Sequence, residues 1–131
     1  MKAILPGIAI LFLVSCATTY DMPGKERSRS YDAAPYVVWE AAIDSINDVD
    51  LALIVAEPEN GLIRARSRPS IWDLRGHVVL IVVRDLGDGG YRVDANAETV
   101  SEDSVVDFGA SKRIVRGYLM ALDVRMAADG I

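Results

Sequence analysis

The hydrophobic pattern predicts an α+β fold: a two-layer sandwich of a four-stranded antiparallel sheet with two helices on one face, in the order α-β-β-β-β-α. Three observations carry this expectation. Two stretches, around residues 38–46 and 114–126, repeat apolar residues at helical spacing. Four short stretches between them are rich in Val, Ile, Leu or Ala and are bounded by Gly, Pro, Asn and Asp. The length of 131 residues allows one small domain around a single core and excludes a multidomain enzyme.

The first helix is expected from about Asp32 to Asn47, with Val38, Trp39, Ala42, Ile43 and Ile46 on one face. Asp32 is placed to cap it, and Pro35 is tolerable in a first turn, where the backbone N–H has no helical partner. Strands follow at Leu51 to Glu57 and Leu62 to Arg68, joined by Pro58-Glu59-Asn60-Gly61. Asn-Gly accepts positive φ and so favours a hairpin. On the second strand Ile63, Ala65 and Ser67 point to one face, and Arg64, Arg66 and Arg68 to the other. Pro69 ends this strand, and a connection through Ile71, Trp72 and Leu74 leads to Gly76.

The third strand, His77 to Arg84, is apolar on both sides and is therefore expected at the sheet centre. Asp85 to Gly90 forms the next turn. From Tyr91 to Glu98 the alternation is clean: Tyr91, Val93, Ala95 and Ala97 face the core, and Arg92, Asp94, Asn96 and Glu98 face away. An acidic connection, Thr99 to Asp107, precedes a second helix from about Ala110 to Ala128. Its stripe is Ile114, Val115, Tyr118, Leu119, Leu122 and Met126. Two striped helices and a sheet with one apolar face bury one another most simply in two layers.

The first fifteen residues have another character. Lys2 supplies a short positive region, and Ala3 to Val14 form an apolar stretch too short to span a bilayer, which needs about 20 residues. Leu13-Val14-Ser15-Cys16 resembles the bacterial lipobox. That resemblance implies diacylglyceryl transfer to the Cys16 thiol, cleavage before Cys16 and acylation of the new amino terminus. Two or three acyl chains give a stable anchor where a single chain does not. Ala17 follows the cysteine, and under the sorting rule of Gram-negative lipoproteins this implies the outer membrane, facing the periplasm. The expected organisation is thus a signal peptide over 1–15, a lipidated cysteine and flexible tether over 16–30, and a single domain over 31–131. The tether has no hydrophobic period, and fourteen such residues reach about 20 Å on average.

Tyr31, Ala34-Pro35-Tyr36-Val37-Val38-Trp39-Glu40-Ala41-Ala42, Asn60-Gly61-Leu62-Ile63-Arg64-Ala65 and Asp107-Phe108-Gly109-Ala110-Ser111, with the lipobox ahead of them, resemble a family of small bacterial outer-membrane lipoproteins. More loosely, the layout is similar to the helix-grip domains of the outer-membrane assembly lipoprotein BamC. The shared positions are mainly core and turn residues. The resemblance therefore implies a fold and a compartment and carries over no catalytic residue.

The composition narrows the chemistry. A formal net charge of −5 disfavours non-specific binding to nucleic acid, and removal of Lys2 with the signal leaves the remainder one unit more acidic. The single cysteine excludes an intrachain disulfide framework, and once acylated it is no longer a thiol nucleophile. His77 is the only histidine, so no His pair can hold zinc, and a histidine opening an apolar strand reads as a capped or edge residue. The motifs G-x-S-x-G, S-x-x-K and H-E-x-x-H are absent. Asp85, Asp88 and the nearby glycines lack the spacing of a calcium loop and read as a plain turn. No metal and no cofactor is expected.

Two sets of basic residues and one tryptophan remain as candidates for an interaction surface. Arg64, Arg66 and Arg68 form a stripe about 13 Å long on one sheet face. Lys112, Arg113 and Arg116 crowd the first turns of the last helix, where the macrodipole prefers acids. The alternative for both sets is pairing with neighbours such as Glu98, Glu102, Asp103 and Asp107. Trp72, with Ile71 and Leu74, reads either as a lid on the core or as an exposed anchor. The expectation is a lipid-anchored envelope protein without catalytic activity, held at the membrane through Cys16, acting on an envelope protein partner or in a structural role. The alternative is a binder of a small or lipid-like molecule in a cavity between helices and sheet; Ala42, Ala65, Ala95 and Ala97 either leave room for one or permit close helix packing. An envelope hydrolase is the third reading, and no carboxylate pair of identifiable spacing supports it.

Overall fold

A computed structural model describes residues 22–68, 76–99 and 109–129. Leu13, Val14, Ser15 and Cys16 of the lipobox, and Trp72, lie outside these residues. The elements run β1 (Ser28–Tyr31), α1 (Pro35–Asp48), β2 (Leu51–Glu57), β3 (Leu62–Ser67), β4 (His77–Asp85), β5 (Tyr91–Thr99) and α2 (Ala110–Asp129). The α+β class holds, but the sheet has five antiparallel strands and not four, in the order β1-β5-β4-β3-β2. β4 is central, as its two apolar sides require.

The additional strand comes from the segment expected as tether. Ser28–Tyr31 carries no apolar alternation: polar contacts hold it, and Tyr31 alone of its residues packs against the core. Its residues pair with β5 from Ser28↔Asp94 to Tyr31↔Tyr91. Arg29 Nε and the Tyr31 hydroxyl both donate to the Asp123 carboxylate of α2, at 3.0 and 2.6 Å. Ahead of the strand, Gly24–Glu26 forms a 3₁₀ turn, and Met22 is buried in the hydrophobic core. The folded unit therefore includes residues 22–30.

The core lies between the helices and one sheet face. Ile63, Ile81 and Ala95 stand in one cross-strand row, and Ala65, Val79 and Ala97 in the next; all six are fully buried. Val38, Ala42 and Ile46 of α1 and Val115, Tyr118, Leu119 and Leu122 of α2 cover them. The helices contact each other, and both contact β5. The Tyr118 hydroxyl donates to the Ala42 carbonyl at 2.8 Å, and Arg125 holds the Asp48 carboxylate through two bonds of 2.6 and 2.7 Å. α1 begins at Pro35, later than expected, with Ala34 at its N-cap and no side-chain cap, so Asp32 does not serve there.

The β2–β3 connection is a 3₁₀ turn, Pro58–Asn60, closed by Gly61 in the left-handed region at φ 62°. Its carbonyl accepts the Val83 N–H at 2.8 Å, which lays the turn against β4. A Cβ on Gly61 would stand 2.3 Å from the Val83 carbonyl oxygen. β2 is an edge strand with a bulge between Leu53 and Val55, and Leu53, Ile54 and Val55 are exposed there.

Two outcomes are expected. Gly61→Ala meets both a strained φ and a backbone clash, so it should lower stability by about 1–3 kcal/mol or more in urea denaturation. A wild-type stability would contradict the close approach. The Arg125 hydrogen bonds hold the Asp48 carboxyl below its ordinary pKa of 3.8. The stability it confers is present above that ordinary value and is lost as pH falls through the lowered one. Carbon-detected NMR titration should find Asp48 titrating low in the wild type and returning to the ordinary range in Arg125→Gln.

Candidate functional site

The sheet face turned away from the helices is the candidate site. Val78, Leu80 and Val82 of β4 run along its middle and are half-buried. β3 places Arg64 opposite Leu80 and Arg66 opposite Val78, while β5 places Asp94, Asn96 and Glu98 on the other flank. Arg64 and Arg66 are exposed, and neither makes an ion pair among the described residues. Arg68 lies beyond the strand end, 3.8 Å from Asp50, with both side chains largely in solvent, so that pair contributes little.

The second basic set is not brought to this face. Lys112, Arg113 and Arg116 lie on α2, in the other layer, and Arg116 stands 3.8 Å from Glu26. His77 is buried at the start of β4, and its N–H donates to Ser67 Oγ at 2.7 Å. Asp85 and Asp88 accept the N–H groups of Gly87 and Gly90 at 2.8 and 3.1 Å, which spends one oxygen of each carboxylate on closing the turn.

Of the clefts that the described residues form, two bear on function and were not foreseen in the sequence. The larger, about 510 Å³, is lined by Pro35, Tyr36 and Trp39 of α1, by Pro58–Gly61 of the turn, and by Val83, Asp85 and Tyr91. Three aromatic rings and two carboxylates share it, and no basic side chain lines it. It forms because Gly61 docks the turn on β4 beside the start of α1. Of the two readings open for Ala42, Ala65, Ala95 and Ala97, close packing fits their full burial in the core between helices and sheet.

The smaller cleft, about 180 Å³, lies on the open face at its β1 side, lined by Gly24, Arg27, Ser28, Arg84, Arg92, Asp94, Ala95 and Asn96. Asp94 organises it. Its carboxylate is only 16% exposed and accepts Arg92 Nε at 2.9 Å, with Arg84 Nε 3.5 Å away. The Ser28 hydroxyl donates to the same carboxylate. Arg27 Nη1 donates to Asn96 Oδ1 at 2.6 Å. The signal was present in the sequence: a hairpin that sets Asp85 opposite Tyr91 also sets Arg84 opposite Arg92.

No protein-family model matches the chain, and no curated protein does either.

Asp94 offsets two guanidinium groups that face each other directly across the strands, where like charges are unfavourable. Asp94→Ala should lower stability by about 1–3 kcal/mol, and adding Arg92→Gln should recover part of the loss. Equal stability of the single and double variants in denaturant melts would contradict the repulsion.

Proposed function

We propose that this chain is a lipid-anchored protein of the bacterial cell envelope, without catalytic activity, that presents its open sheet face to an envelope protein partner. The observation behind this reading is the half-buried band of Val78, Leu80 and Val82 beside the exposed Arg64 and Arg66, which make no ion pair among the described residues. An apolar centre with an arginine rim is the composition of a protein interface. Anchoring through acyl chains on Cys16, and residence at the outer membrane facing the periplasm, rest on Leu13-Val14-Ser15-Cys16 and Ala17.

A second reading has its own support. The 510 Å³ cleft with Tyr36, Trp39 and Tyr91 is of the size and character of a small-molecule site. Native mass spectrometry of the purified protein separates the readings, since an added mass lost in Trp39→Ala favours a ligand.

Cys16→Ala should release the protein from the membrane fraction or leave the signal uncleaved. A photo-crosslinker at Leu80 of the full-length protein should capture one reproducible envelope protein, and Arg64→Glu with Arg66→Glu should lower that yield at least tenfold. Unchanged capture by the folded variant would end the interface reading.

A further inference from the structure

The arginine cleft differs from the rest of the open face in gathering three guanidinium groups around one small opening. Arg27, Arg84 and Arg92 line it with a single carboxylate, Asp94, which leaves an excess of positive charge in a chain whose net charge is −5. Arg84 and Arg92 are paired directly across β4 and β5, an arrangement a sheet disfavours unless something negative lies between or beside the two groups. Asp94 is engaged only by the Nε edges of both, and among the described residues no Nη atom of either guanidinium makes a hydrogen bond. Among the described residues two buried charged atoms of this cleft, Arg27 Nε and Asp94 Oδ2, have no hydrogen-bond partner. Unsatisfied buried groups are costly, so the polar network of the cleft is incomplete as it stands.

We propose that this cleft is a binding site for a phosphate-class oxyanion. A tetrahedral anion accepts from several donors at once, and guanidinium groups present paired N–H donors in a fixed plane suited to it. The Nη atoms of Arg84 and Arg92 supply the donors, and Arg27 in the cleft wall adds its charge. Asp94 positions the two strand arginines and offsets one of the three positive charges, and Asn96 holds Arg27. The site goes beyond the proposed protein interface and does not depend on it. Its natural source of phosphate, in the anchored form proposed above, is the headgroup of an anionic phospholipid, because Gly24 and Arg27 in the cleft wall follow Cys16 by only eight and eleven residues in the sequence. A free phosphate monoester has the same chemistry.

The test is an NMR titration of full-length protein that reads the arginine Nε–H signals. The probes are inorganic phosphate, short-chain phosphatidylglycerol and short-chain phosphatidylcholine, each below its micellar concentration. Saturable shifts at Arg27, Arg84 and Arg92, with Arg64 and Arg66 unmoved, support the site. Saturation at lower concentration with phosphatidylglycerol than with inorganic phosphate assigns the lipid source, and the reverse order assigns free phosphate. Arg84→Gln with Arg92→Gln should weaken binding at least tenfold, while Arg64→Gln should leave it unchanged. Absence of shifts with every probe, or shifts spread equally over all arginines, would overturn the proposal on wild-type protein alone, whether or not the double variant folds. Loss of protein-partner capture with these shifts intact would count against the interface reading only.

Discussion

Among the described residues Tyr118 is the largest fully buried side chain, and its hydroxyl has to find an acceptor inside the core. It finds the Ala42 carbonyl on the facing helix, and burial pushes the phenol's pKa up, so the group stays a neutral donor. The contact needs close approach, which the small side chains Ala41, Ala42, Ala65, Ala95 and Ala97 permit; all are fully buried. Seating both helices this way commits them to one sheet face. The opposite face is then left to the alternate residues of β3, β4 and β5, and whatever chemistry those carry is displayed together.

The alternation also separates two chemistries at one end of the sheet. Val83 and Tyr91 contribute to the aromatic cleft with its carboxylates, while their chain neighbours Arg84 and Arg92 line the cationic one. A shift of one residue in the β4–β5 register would exchange these sides. The turn from Asp85 to Gly90, closed by two carboxylate-to-amide bonds, fixes that register.

Much of this layout was legible in the chain. The stripes of both helices and the inward positions Ile63, Ala65, Val93, Ala95 and Ala97 follow from period alone, because burial selects for it. β1 was not legible, since its cohesion comes from partners distant in sequence: Asp94, Asn96 and Asp123. The arginine cleft was legible only in part. The β4–β5 hairpin sets Arg84 opposite Arg92, but Arg27 joins them only through the pairing of β1 with β5. The aromatic cleft needed Gly61 docked on Val83, a contact that no local pattern reports.

Burial of Met22 and pairing of β1 change how the proposed anchor couples to the fold. At most about 20 Å of extended chain then separates Cys16 from Met22, no more than the average reach of the longer tether. β1 is fastened on both sides, to Asp94 by Ser28 on the open face and to Asp123 by Arg29 and Tyr31 in the helical layer. Tension drawn through the membrane end of the chain would enter at this strand and be shared at once between sheet and helices. The domain would then transmit mechanical load as one body, and its orientation on the bilayer would be restrained by β1 rather than averaged by a loose leash.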